Sequence, residues 1–112
     1  MDFNEYQKEA IVTKSHWGEK NAELAYCAMG LAGESGEVVE IIKKHFRGDK
    51  PLDNENKLKL QKELGDVLWY IASTCDALGF KMNDVAQLNI EKLRARHGNA
   101  FSGFGDRSGA GN

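Results

Sequence analysis

Two pairs of carboxylates are the residues best suited to chemistry. Glu34 and Glu37 stand in Gly-Leu-Ala-Gly-Glu-Ser-Gly-Glu-Val-Val-Glu, and Glu63 and Asp66 in Lys-Glu-Leu-Gly-Asp-Val-Leu-Trp-Tyr. The i, i+3 spacing of each pair puts both side chains within about 60° of one another on a helix face. Val38 and Val39 follow Glu37, and Val67 and Leu68 follow Asp66, so each pair lies near the apolar side of its helix. A carboxylate in such a place is costly unless it is paired or bound to a cation. One acidic pair alone reads as solvated surface. Two pairs on facing helices ~8–10 Å apart would repel, and divalent cations between them would remove the penalty. An all-oxygen donor set with no clustered His or Cys points to Mg²⁺, with Mn²⁺ as a substitute, rather than Zn²⁺.

The segments that must position these groups show helical periodicity and almost no strand alternation. A short helix is expected over roughly Asn4 to Lys14, with Tyr6, Ala10 and Thr13 near one face. Ser15 to Lys20 breaks it. A long helix follows from Asn21, read as its N-cap, to Phe46, with a stripe of Leu24, Ala28, Leu31, Val38, Ile41 and Ile42. Arg47 to Pro51, which contains the only proline, ends it. A third helix runs from Asp53 or Asn54 to Leu78, where Gly79 fits the C′ position. A fourth runs from Asn83, read as its cap, to His97. The expected fold is all-α: an antiparallel bundle of about four helices over residues 1–98. Residues 99–112 form a Gly/Ser-rich tail for which disorder is the default. The long middle helices are too apolar for one small chain to cover, so completion by a homodimer or homotetramer is expected.

Gly30, Gly33 and Gly36 recur every third residue in the second helix, and Gly65 separates Glu63 from Asp66. Each costs ~1 kcal/mol relative to Ala in a helix. Close helix packing explains them, and so does bare backbone that lets a ligand or partner helix approach the carboxylates.

Composition narrows the classes. A chain of 112 residues is one domain with one modest core. Its net charge of −2 gives no basic surplus for duplex nucleic acid. No apolar run approaches the ~20 residues of a membrane span, and the polar start MDFNEYQKEA shows no signal pattern. Cys27 and Cys75 form no CxxC pair and read as small buried hydrophobes in a reducing, cytoplasmic setting. Di-iron bundles use Glu-x-x-His, which occurs nowhere in the chain.

Glu34-x-x-Glu37 followed by Glu63-x-x-Asp66 resembles the signature of the all-α nucleotide pyrophosphohydrolases, specifically the MazG-like branch. GLAGESGEVVEIIKK and ELGDVLWYIA look like that family's two core helices, and the similarity spans roughly Leu24 to Gly98. The resemblance implies a helical bundle, usually dimeric or tetrameric, that binds Mg²⁺ through these four carboxylates. It implies cleavage of a nucleoside triphosphate between its α and β phosphates, with Glu34 or Glu37 as general base. Asn89, Lys92 and Arg96 share one face of the fourth helix. Alone they read as a solvated face; the resemblance makes them phosphate and sugar ligands. His16 and Trp17, in the first loop, are candidates to touch the base. The house-cleaning of nucleotide pools is the role the family suggests. The alternatives are a phosphoribosyl-ATP pyrophosphohydrolase and a non-catalytic helical interaction module.

Overall fold

The computed structural model describes residues 1–15 and 18–101, with the Phe101 side chain left aside. His16, Trp17 and the tail from Ser102 lie outside the described residues. Those described are helical, with no strand among them: α1 (Phe3–Ala10), a 3-10 turn (Ile11–Thr13), α2 (Lys20–Arg47), α3 (Asn54–Leu78), α4 (Met82–Arg96) and the short α5 (Gly98–Phe101).

Local chemistry sets the helix ends. Asp2 and Glu5 form a capping box at the start of α1. Asp53 accepts from the Asn56 amide at 2.9 Å to start α3. Gly48 and Gly79 close α2 and α3 at φ of 89° and 74°, the left-handed region open to glycine without strain. Two expected caps are corrected. The α2 cap is Glu19, whose carboxylate accepts from the amides of Asn21 and Ala22 at 3.0 and 2.9 Å. The α4 cap is Lys81, with no side-chain bond. The Asn83 side chain instead accepts from the Asn4 amide, and that of Asn4 from the Asn83 amide, at 3.2 and 2.9 Å. That exchange fastens α4 to α1. The short α5 follows α4, over Gly98–Phe101.

α2 and α3 form an antiparallel hairpin. Its register sets Cys27 beside Ser73, with Sγ and Oγ 3.3 Å apart, and Gly30 beside Tyr70. Further along it sets Glu34 beside Glu63 and Asp66. α1 crosses α3. The Trp69 indole N–H donates to the Ala10 carbonyl at 3.0 Å and to the Thr13 hydroxyl at 2.9 Å. Lys14 reaches across to Ser73 O at 3.0 Å, to Asp76 at 2.9 Å and to Glu23 at the start of α2.

The core is small. Ala72, Cys75 and Met82 are buried, with Tyr6, Ala10, Leu68 and Ile71 packed on them; Cys27 and Ala77 are the other buried apolar residues described. Both cysteines are free and buried as expected. Val39, Ile42 and Phe46 on α2, Leu64 on α3 and Leu88 on α4 stay exposed, at 61%, 48%, 91%, 52% and 65%.

Candidate metal centre

The carboxylates meet at the middle of the α2–α3 hairpin. One oxygen from each of Glu34, Glu63 and Asp66 falls within a group whose members all lie within 4.8 Å of one another. Glu34 and Glu63 are half-buried and Asp66 is exposed. Glu37 is exposed and outside this group, though its charge reaches Glu34. The structure thus brings three of the four carboxylates to close quarters, with Glu37 outside the group.

Electrostatics makes the cluster costly when empty. The Glu34 carboxyl is held above its ordinary value, first by loss of water around it. Repulsion from Asp66 and Glu63, a hydrogen bond with Glu63 and the charge of Glu37 push in the same direction. At an effective dielectric near 20, a pair of full charges at this spacing repels by roughly 3 kcal/mol, less where solvent screens it. The donor set is hard oxygen, and oxygens this close need only small side-chain shifts to share one cation. A divalent ion fits what these residues offer.

An aromatic wall adjoins the cluster. Tyr26, Gly30 and Glu34 succeed one another at four-residue steps on α2. A Cβ on Gly30 would overlap the Tyr70 ring, so this glycine is a true close approach. Gly33, Gly36 and Gly65 have open space where a Cβ would lie, which removes packing against the described residues as their explanation. The Tyr70 hydroxyl donates to Tyr26 at 3.4 Å, and its ring meets Trp69 edge-on at 4.9 Å between centroids. The bond with Tyr26, burial and the charges of Tyr26 and Glu34 raise the Tyr70 phenol to about 12. On the other side, burial and then the charge of Asp66 raise Tyr6, which brings α1 to the edge of the site. Sequence reading set Tyr6 only on the face of the first helix and gave Tyr26 no role. The available signal for Tyr26 was its four-residue step to Gly30; nothing in the spacing pointed from Tyr6 to Asp66.

The remaining candidates lie elsewhere. Asn89 and Lys92 are exposed and line a cavity of about 490 Å³ with Gly79, Phe80, Asp84, Val85 and Leu88. Arg96 is exposed in the last turn of α4. Among the described residues, no hydrogen bond or ion pair is seen between these three and the carboxylates. Glu40 is a surface residue paired with Lys43 at 3.0 Å.

Comparison with known proteins agrees with this layout. No solved structure matches the chain significantly. It is 41% identical over 101 residues to the "Gene 37 protein" of Mycobacterium phage L5, covering 86% of this chain and 89% of that protein. The model of the MazG nucleotide pyrophosphohydrolase domain matches residues 23–101, which take in all but the first three residues of α2, the carboxylate cluster, α3 and α4. The chain belongs to the MazG nucleotide pyrophosphohydrolase domain family.

Proposed function

We propose that the protein is a Mg²⁺-dependent nucleoside triphosphate pyrophosphohydrolase, which converts an NTP or dNTP and water to the monophosphate and pyrophosphate. The observation that carries this reading is the convergence of Glu34, Glu63 and Asp66 within 4.8 Å on the α2–α3 seam. Glu34, Glu37, Glu63 and Asp66 would hold the cation, and Mn²⁺ would substitute for it. Once bound, a divalent cation supplies positive charge against the triphosphate oxygens. Glu34 or Glu37 would take the proton of a water that attacks the α-phosphorus; the exposure of Glu37 supports its access to that water. The β-phosphate oxygen then departs with the electron pair as pyrophosphate.

In the same reading, Asn89, Lys92 and Arg96 bind phosphate and sugar, and His16 and Trp17 touch the base. The uncovered apolar faces of α2, α3 and α4 support a homodimer or homotetramer, in which a second copy closes the bundle. Among the described residues, no helix is long and apolar enough to cross a membrane. The reading is tested by incubating the protein with each common NTP and dNTP, with Mg²⁺ and with EDTA, and separating products by chromatography. Monophosphate and pyrophosphate in equal amounts, only with metal, are expected. Orthophosphate as the first product, or no turnover of any triphosphate, contradicts it.

A further inference from the structure

The chain carries a second polar site that the carboxylate chemistry does not use. At the closed end of the hairpin, Ile41, Lys44, Lys50, Pro51, Asn56 and Lys59, with Leu52 beside them, line a pocket of about 140 Å³. Its three ammonium groups are only loosely neutralised. Lys44 lies 3.9 Å from Glu40, and Lys59 lies 3.8 Å from Glu55. Lys50 forms no ion pair among the described residues. Residues 40–62 carry seven Lys or Arg against four acidic residues, in a chain whose net charge is −2.

The walls are fixed before any ligand arrives. The amides of Asp49 and Lys50 donate to Lys44 O at 2.9 and 3.4 Å. The Asn56 side chain donates to Pro51 O at 2.7 Å, and Arg47 Nε to Asp49 at 2.6 Å. Asp53 already caps α3, so the lysines rather than the helix end must attract an anion.

The pocket continues the carboxylate face. Glu34, Glu37, Ile41 and Lys44 follow at steps of three, four and three on α2; Asp66, Glu63, Lys59 and Asn56 repeat those steps on α3. Each set is one stripe on one helix face. The antiparallel register runs both stripes from the cluster to the pocket, with Lys59 about 6 Å of helix rise beyond Glu63 and Lys44 about 10 Å beyond Glu37.

We infer that this lysine pocket binds the pyrophosphate end of the substrate, and pyrophosphate itself after cleavage. The assignment rests on the proposed function for its role. It requires only that a diphosphate chain lie along the seam, with one end at the carboxylates and the other among Lys44, Lys50 and Lys59.

The test is calorimetric titration of the whole protein with inorganic pyrophosphate in EDTA at low salt. Saturable binding is expected. Lys44→Ala and Lys50→Ala should each weaken it about tenfold, as loss of a charge-assisted contact does. Lys57→Ala, which removes the same charge outside the pocket, should leave it within about twofold. In turnover, both pocket variants should raise KM and the inhibition constant for pyrophosphate together, with kcat little changed. No saturable binding to the wild type, or wild-type affinity in both pocket variants, overturns the assignment. Because the titration needs neither metal nor turnover, a protein that hydrolyses no triphosphate would defeat the function and the pocket's role in it, while pyrophosphate binding at the lysines is read separately. Wild-type-like variants would defeat the pocket and leave the function standing.

Discussion

At the residue scale, the site balances stability against charge. Glu34 is held above its ordinary carboxylate value by burial and by its acidic neighbours. A carboxyl with a raised folded value opposes folding at neutral pH, and the opposition fades as pH falls into its titration range. Glu34→Gln should therefore raise the melting temperature of the metal-free protein by a few degrees, about 0.5–1 kcal/mol after solvent screening. The same change should lower turnover at least ~100-fold and abolish the rise in melting temperature expected when Mg²⁺ is added to the wild type. The glycines divide in the same spirit. Gly30→Ala drives a methyl into the Tyr70 ring and should destabilise by about 1–3 kcal/mol. Gly33→Ala meets nothing and should stabilise the isolated chain by up to ~1 kcal/mol; denaturant titration separates the two. Sequence spacing alone could not distinguish them, because Tyr70 is 40 positions away in the chain.

At the element scale, Lys14 ties the turn after α1 to the start of α2 and the end of α3. Burial works against its charge, but hydrogen bonds to Glu23 and Asp76 outweigh this and raise its value. The bond from Lys14 holds Glu23 below the usual carboxylate range, against the desolvation that would raise it. With side chains 10% and 12% exposed, removing one partner strands the other. Lys14→Met should cost about 2–3 kcal/mol in urea unfolding. The Glu23 contribution has the sign of a depressed acid: present above the unfolded carboxylate value near pH 4.5 and lost as pH falls through the lower folded value. Wild-type stability should thus fall more steeply below about pH 4.5 than that of Lys14→Met. Helix existence was legible in the sequence, because α2 and α3 carry strong 3.6-residue periodicity between clear stops. The caps were less so, since Glu19 starts the helix two residues earlier by accepting from the Asn21 and Ala22 amides, and Asn83 is drawn away by Asn4. The docking of α1 was not legible, because it depends on Trp69 reaching Ala10 and Thr13. The four carboxylates were readable because their chemistry lies in local spacing; Tyr6, Tyr26 and Lys14 matter only through partners brought by the fold.

At the scale of the whole molecule, the described helices leave a long apolar surface uncovered. Leu64 and Leu78 on α3 and Ile42 on α2 lie exposed on stripes of alternating four- and three-residue steps, of which Leu68, Ile71 and Cys75 pack in the core. That spacing makes a seam for further helices, and Leu64 and Ile42 are about half exposed on it. Leu64→Glu should shift the protein from an assembly toward the monomer in sedimentation velocity while retaining helicity by circular dichroism; an unchanged sedimentation coefficient would count against a second copy on this face. The central claim is chemical, however, and depends on which phosphorus is attacked. Turnover with Mg²⁺ in ¹⁸O-labelled water, read by mass spectrometry of the products, decides it. Attack at the α-phosphorus beside Glu34, Glu63 and Asp66 predicts one ¹⁸O in the monophosphate and none in pyrophosphate. Label in the pyrophosphate, or in released orthophosphate, would contradict it.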